Sequence, residues 1–86
     1  MITLATSDGA TFTGRTFTDV IAQIGDGAPF APAGTRALVA WIAGNVARAT
    51  GRPVLLPGPA VTDEACARAL FTELAARGLV EINLGD

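Results

Sequence analysis

The sequence predicts an α+β fold: an N-terminal β-hairpin, three helices and a C-terminal strand that completes a small three-stranded sheet with the helices on one face. Three observations predict it. Apolar and polar residues alternate at both ends of the chain, through Ile2, Leu4 and Phe12 at the start and Val80, Ile82 and Leu84 at the close, the two-residue period of half-buried strands. Between them stand segments with helical spacing, each followed by a glycine that can end it, at Gly25, Gly51 and Gly78. A lone hairpin is marginal in water, so the final strand finds its use as the third member of the N-terminal sheet.

Each element has its own reason. Ser7-Asp8-Gly9 marks the hairpin turn. Phe12 must share a face with Ile2 and Leu4, and a two-residue loop would set it opposite Ala5. A three-residue loop with Gly9 in the left-handed conformation pairs Leu4 with Phe12 instead. Thr16 or Thr18 can cap the first helix, whose stripe is Phe17, Val20, Ile21 and Ile24, with Asp19 in its opening turn and Gly25-Asp26-Gly27 as its stop. From Ala28 to Gly34 two prolines predict an extended connector anchored by Phe30.

Thr35 to Thr50 reads as a helix with almost no wet side, because every residue between Arg36 and Arg48 is apolar, glycine or the amide Asn45. Such a helix must be covered on all sides, by its own domain or by a partner. Its larger face carries Leu38, Trp41, Ile42, Asn45, Val46 and Ala49, and its smaller face Ala40, Ala43, Gly44 and Ala47. Gly51 is its expected C-cap. Three prolines between Arg52 and Pro59 limit that stretch to a short edge strand or an extended cover.

Thr62 caps the third helix, with Asp63 and Glu64 near its positive end and Ala67, Leu70, Phe71 and Leu74 facing inward. Glu64 with Arg68, and Glu73 with Arg77, are spaced as i,i+4 pairs. Gly78 ends the helix and lets Leu79 fold back on Leu74 in a Schellman arrangement. The last strand then shows Val80, Ile82 and Leu84 on one face, Glu81 and Asn83 on the other.

Composition limits what this chain can do. Its 86 residues make one small domain (1–86) with an expected radius of gyration of roughly 12 Å. Half are hydrophobic and only 16% charged, against about 25% in an average soluble domain, and surplus apolar surface of this kind tends to end in an interface. Six positive charges, all arginine and scattered, face eight carboxylates, so no clustered basic patch favours nucleic acid. The apolar run from Ala37 to Ala47 is too short for a membrane span, and with no charged and apolar leader segment at the N-terminus the expected site of synthesis is the cytoplasm.

Chemistry is short of parts. Histidine, lysine and tyrosine are absent, which leaves general acid-base work to carboxylates, and these stand where helix starts and turns want them. Cys66 lacks an imidazole to serve as its base and sits where a small hydrophobe would staple against Val61. One sulfur and no imidazole offer a transition metal little, and no spaced carboxylates suggest calcium, so neither metal nor cofactor is expected.

The passage from Thr62 through Leu79, Val80, Glu81 and Ile82 resembles the end of a winged-helix domain, where a recognition helix runs into a glycine, a leucine and the first wing strand. That resemblance implies a DNA-binding regulator. The helix, however, carries Asp63, Glu64 and Glu73 against Arg68 and Arg77, a balance that opposes close approach to phosphate.

The residues therefore favour a non-catalytic protein-binding or structural subunit of a larger assembly, a homo-oligomer or a component of a viral or phage particle or another protein shell. Its expected interface is the small-residue face of the second helix, Ala40, Ala43, Gly44 and Ala47, flanked by Trp41. The alternatives are the winged-helix-like regulator and a small ligand-binding protein or enzyme working through carboxylates.

Overall fold

The computed structural model describes residues 1–85. In chain order it contains β1 (Ile2–Thr6), β2 (Thr11–Gly14), α1 (Phe17–Gly27), α2 (Thr35–Thr50), α3 (Asp63–Ala76) and β3 (Val80–Asn83). The three strands form an antiparallel sheet in the order β2-β1-β3, so β1 lies in the middle and the final strand joins the side of the hairpin that β2 leaves open. The Cα radius of gyration is 11.9 Å.

The hairpin has the predicted register: Leu4 lies opposite Phe12 and Gly9 has φ +99. Thr6 N donates to Ala10 O at 2.8 Å and Gly9 N to Thr6 O at 3.1 Å, closing a three-residue turn. The Asp8 carboxylate accepts from the Thr6 hydroxyl and, at 3.4 Å, from Ala10 N. These bonds, with Thr6 the larger cause, hold the Asp8 carboxyl below the usual aspartate range.

The helices stack on one side of the sheet in two layers. α1 packs on β2 and β1, α3 packs on β3, and α2 rests on α1 and α3 with no neighbour in the sheet. The most enclosed helix is therefore α3, which buries Cys66, Ala67, Leu70, Phe71 and Leu74, with Phe71 stacked at a tilt against Phe17 (centroids 5.9 Å). α2 buries only Leu38, Val39 and Ala43. The helix without a wet side is not the central one; it is the outer layer, covered by its own domain along one side.

Helix ends follow local chemistry. Thr16 caps α1 by accepting from Asp19 N at 3.1 Å, and Thr62 caps α3 by accepting from Ala65 N at 3.1 Å. Gly51 closes α2 with φ +72. At the end of α3, Leu79 N donates to Leu74 O and Gly78 N to Ala75 O, both at 3.0 Å, the paired bonds of a Schellman motif.

α1 ends at Gly27, within the expected Gly25-Asp26-Gly27 stop, and Gly25 is a site of close approach, where a Cβ would lie 3.0 Å from both methyls of Leu38 on α2. Three expectations are corrected here. Phe30 does not anchor the connector, since its backbone is left-handed (φ 66) and its side chain fully exposed, while Ala31 packs on the core in its place. Leu84 falls beyond β3 and is exposed. Glu64 does not pair with Arg68; its carboxylate accepts from Phe17 N at 2.8 Å and Thr18 N at 3.0 Å, closing the start of α1 from α3. Two free N–H groups at a helix's positive end outcompete a solvated guanidinium for that carboxylate.

The second expected pair does form, Arg77 Nε to Glu73 Oε1 at 3.2 Å. Arg77 also donates to the carbonyls of Arg52 (3.0 Å) and Pro53, pinning the proline-rich stretch to the end of α3 as an extended cover that adds no strand. Arg36 holds the other end of that stretch, through Asp63 at 2.9 Å and the Val61 carbonyl.

Candidate protein-binding surface

α2 offers its outward side because α1 and α3 occupy the other. The buried Leu38, Val39 and Ala43, with Ile42 and Val46 half-buried beside them, define the inward face at helical spacing. Rotating away from that face exposes Ala37 and Ala40, then half-buried Gly44 and Trp41. Of the five residues expected at an interface, Ala40 is exposed, and Trp41, Gly44 and Ala47 are half-buried. Ala43 is the correction. It is 6% exposed inside the domain's own core, because the inward face is centred between Ile42 and Val39 and so reaches round to include it.

The small-residue strip is open where it matters. A Cβ at Gly44 would find only the Arg48 guanidinium, at 3.8 Å. Arg48 also donates to the Asn45 side chain, so Asn45, on the exposed flank, has its hydrogen-bond partner within the helix. From Ala37 to Gly44 the outward side carries no charge.

Other exposed apolar groups are Met1, Phe30, Leu55 and Leu84. Phe30 stands in the connector that leads into α2; composition gave no hint that a left-handed backbone would turn it outward. The sequence reading missed one further feature, a groove of about 430 Å³ floored by Val46, Ala49, Leu74, Leu79 and Val80 and rimmed by Thr6, Ser7, Asp8, Asn45 and Thr50. It lies between the hairpin turn and the C-terminal half of α2, residues far apart in the chain, so no local pattern signals it.

For chemistry the structure brings little together. Among the described residues no three His, Cys, Asp or Glu side chains form a group able to hold a metal ion. Cys66 is buried in the core. Glu64 and Asp63 are engaged at helix starts and Asp8 in its turn. No described helix is long and apolar enough to cross a membrane. The winged-helix resemblance meets a different arrangement: α3 does run through Gly78 and Leu79 into β3, but β3 pairs with the N-terminal β1, and a long connector, residues 51–62, separates α2 from α3 where a helix-turn-helix has a short turn.

Comparison with family models, with curated proteins and with solved structures finds no match to this chain.

Proposed function

We propose that this protein is a binding subunit whose work is contact with other protein, made through the outward side of α2. The observation that carries the reading is the position of this helix: an uncharged strip of Ala37, Ala40 and Gly44 lies on the side of its outermost layer away from the core, flanked by Trp41, which is half-buried against that core. Small residues there let another backbone approach closely, and the half-buried indole beside them supplies a large, rigid contact. The fully exposed Phe30 at the entry to α2 adds an aromatic with no neighbour in its own domain to justify it. A place in a larger assembly, a protein shell among them, is the broader form of this reading.

The test is the native mass of the chain across a range of concentrations, repeated for Gly44→Glu. The side chain of Glu has room beside Arg48, so the variant folds with unchanged circular dichroism. A new carboxylate buried at a contact weakens association by at least about tenfold, even allowing for partial pairing with Arg48. A wild-type chain that remains a single copy throughout, or a Gly44→Glu chain that associates as wild type does, overturns assembly through α2.

A further inference from the structure

The two edges of the sheet are not equivalent. Backbone groups alternate in direction along a strand, and two bonds fix the phase: Thr6 N points to β2, reaching Ala10 O, and Ser7 N points to β3, reaching Leu79 O at 3.1 Å. Toward β3, then, β1 presents Thr3 and Ala5, which pair with Asn83 and Glu81. The N–H and C=O groups of Val80 and Ile82 point the other way, outward, and no hydrogen bond beyond the sheet reaches them among the described residues. On the far edge Thr13 N donates to the Gln23 side chain of α1 at 3.1 Å while Thr11 stays exposed, so that edge is covered in part.

We infer that β3 pairs antiparallel with β3 of a second copy, with Ile82 opposite its own symmetry mate, joining two sheets into one of six strands. The outward groups of Val80 and Ile82 have the spacing that a partner's strand would meet. The occupant is a second copy because the register that self-pairing demands is chemically coherent. With Ile82 at the twofold axis, Val80 faces Leu84 of the other copy, and Glu81 faces Asn83. Leu84, one residue beyond β3 and 62% exposed in the single chain, gains an apolar neighbour where the paired strand extends to it. The alternative register, one residue shorter in each copy, would set Glu81 against Glu81 and leave Leu84 bare. Twofold pairing uses the β3 edge of both copies, so this contact by itself closes at two.

This contact is separate from the outward side of α2, and its test separates them. Asn83 is exposed on the polar side of the sheet, opposite Glu81 of the other copy in the inferred register. Asn83→Glu creates two like-charge pairs per dimer and weakens self-association about tenfold, whereas Asn83→Arg creates two opposite-charge pairs and strengthens it severalfold. Sedimentation equilibrium on both variants beside Gly44→Glu measures each effect. Glu81→Cys and Asn83→Cys chains, mixed and oxidised together, further yield a covalent dimer of one with the other in excess of either alone, since position 81 of one copy faces position 83 of the other only in this register. Opposite responses to the two charges, with the covalent dimer, support the pairing. A wild-type chain that never associates, equal responses to Glu and Arg, or failure of the cysteines to link two copies overturns it.

Discussion

At the scale of single residues, chemically identical glycines do opposite work, and the difference is set by what stands beside the missing Cβ. At Gly14 that Cβ would lie 2.6 Å from the Asp19 Cβ and 3.1 Å from Val20 N, so the start of α1 closes on β2 only because there is no side chain. Gly14→Ala is expected to destabilise the fold by about 1 to 3 kcal/mol, since backbone must move to admit one methyl. At Gly44 only the end of Arg48 is near, and the residue lies within a helix. Gly44→Ala is expected to stabilise the isolated chain by up to about 1 kcal/mol, the helix propensity that glycine forgoes. Urea unfolding of the two variants under dissociating conditions checks both signs; a Gly44→Ala chain less stable than wild type would show that something within the domain uses the space. Gly9 is a third case, with φ +99 and open surroundings. Gly9→Val meets no clash but must hold a β-branched side chain in left-handed backbone, at a cost of about 1 to 3 kcal/mol.

At the scale of elements, the ends of α1 and α3 depend on each other through Glu64. Its carboxylate satisfies Phe17 N and Thr18 N, two of the four N–H groups that a helix start leaves without intrahelical partners. Glu64→Ala is therefore expected to cost about 1 to 2 kcal/mol, as the loss of a capping acceptor does, and to raise amide exchange at Phe17 and Thr18 before it affects the rest of α1. Arg68→Ala, which removes only the other member of the expected surface pair, should change stability by less than about 0.5 kcal/mol. If the two variants cost the same, the bridge from α3 to α1 is not what holds the helix start. This pair also shows what a sequence can reveal. The hairpin register, the caps at Thr62 and Gly51 and the return of Leu79 onto Leu74 were legible because each depends on neighbours within a few residues or on strict alternation. Glu64 was misread because its partners lie 47 and 46 residues away, and spacing along one helix cannot report a bond made to another. Ala43 was misplaced for a related reason: on a helix apolar all round, periodicity cannot choose the inward direction, and only the packing of Leu38 against Gly25 and the seating of Val39 in the core orient it.

At the scale of the whole molecule, the layering of sheet, α1 with α3, then α2 divides stability unevenly. α3 is enclosed between β3 and α2, and its stripe of Ala67, Leu70 and Phe71 has no exposed surface. α2 buries three residues on one side, is tied at its start by Arg36 to Asp63 and Val61, and carries no link to the sheet. An outward side whose exposed Ala37 and Ala40 and half-buried Gly44 carry no charge would be a poor end for a helix facing water, but it is a natural state for one that a partner covers. It follows that α2 can open without the rest: in a dilute, single-copy chain its amides are expected to exchange through a local opening of lower free energy than the global unfolding that releases α3. Association through the outward strip would remove that difference, because an amide protected in the bound state exchanges only from the free one. Hydrogen exchange followed by NMR or mass spectrometry at low and high protein concentration reads both halves of the argument. Protection in α2 should rise with concentration towards that of α3, with Gly44→Glu abolishing the rise and leaving α3 unchanged. Were α2 as protected as α3 at the lowest concentration, the outer layer would be sustained by its own domain, and the strip from Ala37 to Gly44 would need no partner to explain it.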